Sequence, residues 1–404
     1  MLDSLDPAEI DADPLKVATR LRHAPESADG LAVSRSELVS AALTQARLRG
    51  RARQKFGAMA ERMFFTPNGL EQATRRSVAD YRARRFAAAL PAVTRVGDLC
   101  CGIGADLLAL AGAGLTVEGV DADPFTAAVA RANIDALGLS ARARVREGDA
   151  TSTAPGDYDA VFCDPARRGA RGRVFDPHAY SPPWTAVTLL AEGASAACIK
   201  AAPGIPHDLV PDSAGAEWIS VDGDVKEAAL WFGTLYDVPR RATLLRGDGR
   251  EPATIVADPA LGAPPVAPPG RYLYEPDGAV IRAHLVAEAA AAVGGALLDP
   301  HIAYITADQL VDTPFCRAYE VDDVLPFSLK RLRAALRGRR VGTVTIKKRG
   351  SAVDVEKLRR DLRLSGPKSA VVILTRIGDR PVCLLCSEAR RPQQADRAGS
   401  AERA

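Results

Sequence analysis

The 404-residue chain is predicted to be an α/β protein: a doubly wound, mostly parallel sheet, with a helical region before it and a small α/β module after it. Three observations carry this. From Val96 onward, short apolar runs alternate with helical stretches: RVGDLC, ADLLALAGAG, TVEGVDA, PFTAAVARANIDALG, ARVREGD and YDAVFCDP. Strands alternating with helices are the mark of βαβ units and a parallel sheet. Residues 1–90 instead read as helices, and residues 326–388 as a second, shorter alternation of helix and strand.

Taken in order, SRSELVSAALTQARLRGRARQKF opens on Ser34, with Glu37 three residues later, the spacing of a capping box. A second helix is expected around Leu70 to Leu90, apolar residues spaced between arginines. In the alternating region the best-marked helix starts at Pro124: Asp123 can cap it, proline suits its first turn, and Gly138 can close it. SAACIKAAPG reads as a fifth strand, and EWISVDGDVKEAALWFGTLYD as two strands joined by a polar turn. APPVAPPG at 263–270 has the composition of a stiff linker. One helix is expected around Val280 to Val293. LPFSLKRLRAAL, VGTVTIKK, DVEKLRRDL, KSAVVILTRI and RPVCLLCS then read helix, strand, helix, strand, strand. The expected organisation is therefore a helical region over 1–90, the main sheet over 91–260, a linker with a connecting helix over 261–325, the basic module over 326–390 and a disordered tail over 391–404.

Composition narrows the class. A hydrophobic share of 47% and a charged share of 25% are those of a globular protein in water. No run of about 18 apolar residues occurs, so no membrane span is expected. The acidic start MLDSLDPAEIDADP lacks the apolar stretch of a secretory signal. Seven irregularly spaced cysteines fit a reducing compartment, so a cytoplasmic location is expected. The net charge of +3 conceals an asymmetry. Residues 327–404 hold 20 Lys/Arg against 7 Asp/Glu, residues 47–85 hold 11 against 3, and residues 86–326 hold 18 against 32. Basic flanks around an acidic middle point to a polyanionic partner.

The strongest chemical signal is Asp98-Leu-Cys-Cys-Gly102-Ile-Gly104, after a strand and before a helix. Glycines there let the backbone approach a cofactor, and Asp98 can accept a hydrogen bond from an amine. Position 107 is Leu, so the third glycine of the dinucleotide pattern is missing. Asp121 ends the next strand, where an acidic side chain can accept from ribose hydroxyls. Gly148-Asp149-Ala150 ends the third strand. Acidic positions at successive strand ends converge on one crevice in open α/β sheets.

DLCCGIGAD, VDAD, ARAN, GDA and CDPARR resemble, in order, the motifs of class I S-adenosylmethionine-dependent methyltransferases. The resemblance covers about residues 60–250 and implies a seven-stranded methyltransferase sheet whose fifth parallel strand is followed by a terminal pair. It implies S-adenosyl-L-methionine as cofactor. Asp98, Cys100, Gly102 and Gly104 would line its methionine end, Asp121 its ribose, and Asp149 with Ala150 its adenine. FFTPNGLEQATRRSVADYRARRF resembles the cofactor-covering lead-in of trimethylguanosine-synthase-like RNA methyltransferases. VGTVTIKKRGSAVDVEKLRRDLRLSG resembles the THUMP-like domain of a group of bacterial methyltransferases. True THUMP domains help RNA-modifying enzymes grip RNA, so the likeness implies an RNA partner.

Cys163-Asp164-Pro165-Ala166-Arg167-Arg168 ends the fourth strand. Base-amine methyltransferases carry there a polar residue, two prolines and an aromatic; here Ala166 replaces the second proline and Arg167 the aromatic. DPAR also resembles the uridine C5 methyltransferases, but IKAAPGIP after the fifth strand holds no cysteine nucleophile, and that chemistry is set aside. Asp164 is expected to orient the acceptor or take its proton, and Pro165 to offer its carbonyl. Arg167, Arg168, Arg171, Lys200, Lys347 and Lys348 are the candidate substrate contacts, the arginines for phosphate. Cys383 and Cys386 read as core, and no metal site is expected, since a structural zinc needs about four ligands. The expected activity is methyl transfer to a tRNA or rRNA nucleoside by in-line displacement. The alternatives are a non-catalytic RNA-binding protein that kept the fold, and a methyltransferase for a small molecule or a protein.

Overall fold

The computed structural model describes residues 2, 5–23, 33–91, 93–154, 156–166, 168–169, 172–173, 180–247 and 249–389. The expected disordered tail, together with Arg167, Arg171 and most of their loop, lies outside the described residues. The chain forms two compact units: one of Met1–Val221, Lys226–Pro239 and Gly247–Gly249, the other of Asp222–Val225, Arg240–Arg246 and Arg250–Ala404.

Unit 1 begins with α1 (Pro7–Ala12), α2 (Pro14–Arg22) and α3 (Arg35–Phe56), packed through Ile10, Val17, Leu21, Val39 and Ala46. The capping box forms as expected: Glu37 N donates to Ser34 Oγ at 3.3 Å, and Ser34 N to Glu37 Oε2 at 2.8 Å. The single helix expected over 70–90 is two, α4 (Pro67–Gln72) and α5 (Arg76–Ala89), because Ala73 adopts an extended backbone between them.

The sheet strands of unit 1 are β1 (Arg95–Leu99), β2 (Thr116–Asp121), β3 (Ala143–Glu147) and β4 (Ala160–Cys163), then β7 (Ala196–Ala201), β8 (Gly215–Val221) and β9 (Asp224–Gly233). Between β4 and β7 lie the two-residue strands β5 (Arg168–Gly169) and β6 (Gly172–Arg173), paired with each other. Helices α6 (Ala105–Gly112), α7 (Pro124–Leu137) and α8 (Trp184–Gly193) connect the strands. The order is β8-β9-β7-β4-β1-β2-β3. β1 pairs in parallel with β2 and β4, β2 with β3, and β4 with β7, while β9 runs antiparallel to β7. Within unit 1 these match the expected seven strands, and of the terminal pair β9 is the strand shown reversed against β7. The strand order changes direction between β1 and β4, and in open α/β sheets ligands bind at the carboxyl ends of such neighbours. Helix α7 starts and stops where its sequence says: Asp123 accepts from Phe125 N and Thr126 N, and Gly138 closes it in the left-handed conformation.

Unit 2 holds the antiparallel pair β10 (Arg240–Leu245) and β11 (Ala253–Val256), two strands for which the sequence reading had no place. It continues with β12 (Tyr272–Pro276), α9 (Gly278–Arg282), α10 (Val286–Ala292), β13 (Ala296–Asp299), β14 (Ile302–Ala307), β15 (Cys316–Pro326), α11 (Leu329–Gly338), β16 (Val341–Lys348), α12 (Val355–Leu362), β17 (Lys368–Ile377) and β18 (Arg380–Glu388). Its sheet runs β13-β14-β12-β15-β18-β17-β16. The segment 261–325, expected as a linker with one helix, supplies four of those seven strands. β13 and β14 form a local hairpin, but β12 pairs with β15 across about forty residues, where local pattern carries little of the signal. The helix expected over 280–293 breaks at His284, whose φ is 55°. The elements expected over 326–388 all form. Alternation along β17 and β18 sends Val372, Leu374, Cys383 and Leu385 to the cluster under α11 and α12, and Val371, Ile373, Leu384 and Cys386 to the other face. Cys383 and Cys386 are core, as expected.

Candidate active site

At the carboxyl ends of β1 and β4, unit 1 opens into a cleft of about 650 Å³. Its walls include Asp98, Cys100, Gly102, Asp121, Asp164, Pro165 and Lys200, so most of the expected site residues meet in one place. Gly104, Asp149 and Ala150 are not among the wall residues. Gly104 shapes the loop from behind. Asp149 caps the short turn Ala150–Ser152 by accepting from Thr151 N, and Ala150 is buried.

The loop after β1 takes its shape from three left-handed residues: Cys100 at φ 62°, Gly102 at 57° and Gly104 at 91°. Glycine adopts such values freely, whereas Cys100 holds a conformation costly for a side chain, a strain that recurs at ligand sites. The loop is tied to β2: Cys101 N donates to Val120 O at 3.1 Å, and Gly102 N to Asp121 Oδ2 at 2.9 Å. Asp121 Oδ1 accepts from Asp123 N at 3.0 Å. A Cβ built on Gly102 would meet nothing within 4 Å, so the space above it is open to a ligand.

Asp98 is fully buried, and neither carboxylate oxygen makes a well-formed hydrogen bond, with only the backbone of Leu107 near enough to donate weakly. Burial, reinforced by the charges of Asp106 and Asp164, holds its pKa well above the usual carboxylate range. A buried carboxyl without a strong donor suits the arrival of an ammonium group. The methionine portion of S-adenosylmethionine carries one, so these residues fit the cofactor implied by the sequence.

The lead-in Thr66–Arg75 forms the opposite wall, with Thr66, Gly69, Gln72 and Thr74 among the lining residues. Side chains from α3 and α7 hold it there. Gln45 bonds both backbone groups of Phe65, and Arg49 Nε donates to Met63 O at 2.9 Å. Asn133, in the ARAN string, accepts from Phe64 N at 2.6 Å and donates to Phe64 O and Ile103 O. It thereby ties the lead-in to the glycine loop. Lys55 Nζ donates to the carbonyls of Leu70, Glu71 and Ala73 at 2.7–3.0 Å, closing the end of α4. Burial, with the cations Lys200, Arg75 and Lys226 nearby, lowers the Lys55 ammonium to about 8.

Beneath the cleft lies a charged cluster that the sequence reading missed. Arg82 on α5 has no exposed surface. It pairs with Asp106 and Glu227 and lies 4.4 Å from the Phe162 ring centre. Lys200 is 4% exposed rather than solvated or free for substrate. Its Nζ sits 2.6 Å from Asp164 Oδ2 and 2.8 Å from Thr74 Oγ1. Arg82 was concealed among the arginines of YRARRF. The readable signal was its spacing with Val78, Ala79, Ala83 and Phe86, which places a cation on the buried stripe of the helix.

Asp164 follows β4, and its N donates to Leu99 O at 3.2 Å. Ala166 and Ser181 exchange backbone bonds at 2.7 and 3.1 Å, pinning the turn on the far side of Pro165. Arg168 is described only as part of β5. In unit 2, Lys347 pairs with Glu275, and Lys348 Nζ donates to Val353 O at 3.0 Å from an exposed position.

Residues 96–168 match the family described as Methyltransferase domain, and residues 316–388, which span β15 to β18, match THUMP domain-like. A methyltransferase-fold crystal structure from Porphyromonas gingivalis W83 covers 95% of this chain and 97% of its own, with a TM-score of 0.74 at 20% identity. That likeness is one of fold. In two strains of Mycobacterium tuberculosis, relatives named as uncharacterized S-adenosylmethionine-dependent methyltransferases are 37% identical over 345 residues, 82% of this chain and 91% of theirs. A cyanobacterial protein from Parasynechococcus marenigrum, named as an RNA methyltransferase, is 36% identical over 89 residues, 21% of this chain and 19% of its own. With that degree of identity over most of its length, the chain belongs to the S-adenosylmethionine-dependent methyltransferases and takes S-adenosyl-L-methionine as its cofactor.

Proposed function

We propose that this methyltransferase acts on RNA, at a tRNA or rRNA nucleoside, with Asp164 and Pro165 facing the acceptor. The match of residues 316–388 to a THUMP domain-like family, on the most basic stretch of the chain, carries the RNA reading. The partial likeness to a protein named as an RNA methyltransferase supports it.

The bound cofactor supplies an electrophilic methyl group on its sulfonium. Asp98 would hold the ammonium of the methionine portion, and Asp121 a ribose hydroxyl through the lone pairs its backbone bonds leave free. Asp164 would accept a hydrogen bond from the acceptor N–H or O–H and take the proton as the new bond to carbon forms. The Pro165 carbonyl would accept a second hydrogen bond and fix the acceptor in line. Alignment of this kind supplies much of the rate in such transfers. The basic flanks would hold phosphates in a largely sequence-independent, salt-sensitive way.

Labelled methyl from S-adenosylmethionine, offered to total RNA from cells lacking this gene, is expected in the RNA and in neither the protein nor the small-molecule fraction. Asp164→Ala is expected to abolish transfer while cofactor still binds. Label confined to another fraction rejects RNA as the substrate, and full activity in the variant rejects the role given to Asp164.

A further inference from the structure

Lys200 has no task in the chemistry above, yet the fold spends much to keep it. It ends β7, buried, and its ammonium reaches two groups from distant parts of the chain. One is Asp164 Oδ2, 36 positions away, at the end of β4. The other is Thr74 Oγ1, 126 positions away and itself buried, in the segment that walls the cleft opposite the glycine loop. Burial alone would favour the neutral amine. The charges of Asp164, Glu227 and Asp106 outweigh it and hold Lys200 protonated. Glu227 and Asp106 are in turn fixed by Arg82. Lys200 is therefore a cation with little freedom to turn away from its two partners.

That arrangement limits what Asp164 can do. A carboxylate on a short side chain turns readily between rotamers. With Oδ2 held by a buried ammonium, the lone pairs of the other oxygen remain for an incoming donor. The same ammonium holds Thr74, two residues before the start of α5 and at the end of the segment anchored by Lys55, Gln45 and Asn133. One ammonium thus ties the carboxylate to the segment through two separate bonds.

We propose that Lys200 is a positioning residue that locks the Asp164 carboxylate and the covering segment 66–75 together, so that closure of the segment and alignment of the acceptor are one event. This rests on the reading of Asp164 as the acceptor-facing group. Lys200, expected as a substrate contact, instead meets two of the protein's own groups.

Four measurements on the full-length protein test it: methyl transfer into total RNA, the pH profile of that transfer, affinity for S-adenosylhomocysteine, and amide hydrogen exchange over residues 66–75. Lys200→Met is expected to lower transfer on the order of 100-fold, as a misaligned reacting group does. Affinity for S-adenosylhomocysteine should hold. The pH profile of transfer should change shape, because the cation seated against the reacting carboxylate is removed. Exchange over 66–75 should rise roughly tenfold as the segment loses a tie. Lys200→Arg should restore most of the lost rate. Thr74→Val, which leaves the Asp164 bond in place, should raise exchange over 66–75 with a smaller loss of rate, and it decides the matter if Lys200→Met does not fold. Wild-type transfer and pH profile in Lys200→Met, or unchanged exchange over 66–75 in Lys200→Met or Thr74→Val, would overturn the proposal. If the wild-type protein places no label in RNA, the RNA reading fails, while the exchange data still decide the role of Lys200.

Discussion

Among the described residues, unit 1 buries cations and unit 2 does not. In unit 1, Arg82 and Lys200 are almost wholly withdrawn from water, and each is matched to named carboxylates under the cleft. In unit 2, the side chains of Arg271, Arg317 and Arg359 stand 64%, 59% and 51% exposed, with ion pairs at the surface. Buried charges cannot be lost singly without leaving a partner stranded, whereas exposed pairs are largely offset by solvation and side-chain entropy. Exposure, rather than residue type, therefore separates the cations that build the cleft from those available to a polyanion.

Arg82→Met should break this contrast most visibly. Removing one member of a buried ion network typically costs about 3–5 kcal/mol, so a large fall in unfolding free energy is expected in denaturant titration. A loss no greater than that of a surface pair would mean that the cluster is wetter or more pliable than its burial implies.

Asp98→Asn should cut affinity for S-adenosylmethionine by roughly 10- to 100-fold, the usual worth of a hydrogen bond to a charged group. The same change should stabilise the ligand-free protein at neutral pH. The sign follows from linkage. Because the folded pKa of Asp98 is raised, the unfolded chain gives up this proton first as pH rises. Stability of the ligand-free fold then falls between the unfolded value of about 3.9 and the higher folded value. Asparagine removes that dependence. Melting temperatures with and without S-adenosylhomocysteine, across pH, check both halves.

In unit 2 the expected effects are smaller. Lys348→Ala should weaken RNA binding uniformly across sequences and reduce the slope of log affinity against log salt by about one. Arg317→Ala, which removes an exposed pair with Glu388, should change stability by less than about 1 kcal/mol. A larger change would place that pair in a network and weaken the comparison.

Much of unit 1 was legible because its signals are local. The turn after β1 needs left-handed backbone, and glycine at 102 and 104 announces it. Asp123, Pro124 and Gly138 mark both ends of α7 by chemistry confined to its termini. Asp98, Asp121 and Asp164 could be assigned to one crevice because parallel strands present their carboxyl ends on one side. Legibility failed where the deciding partner is distant. Lys200 reads as a solvated strand-end lysine until Thr74 and Asp164 are seen beside it. Lys55 looks like one more surface cation on α3, although it holds three carbonyls of α4. Strand β12 finds its partners β14 and β15 only across tens of residues, and the proline-rich stretch before it reads as the start of a linker.

The cleft has a consequence for turnover. Among its wall residues, seven are acidic (Glu71, Asp98, Asp106, Asp121, Asp123, Asp164 and Glu227) and four are basic (Lys55, Arg75, Lys200 and Lys226). The methyl donor enters as a net cation and leaves, demethylated, with no net charge. Arg82 beneath the cleft matches Asp106 and Glu227, so the excess rests on the remaining carboxylates, and with the cofactor seated here as proposed they would hold the charged reagent more firmly than the spent one. Long-range attraction of this kind weakens as salt shortens the screening length. With the cofactor so seated, the acidic wall would favour exchange of used cofactor for fresh most strongly in dilute salt.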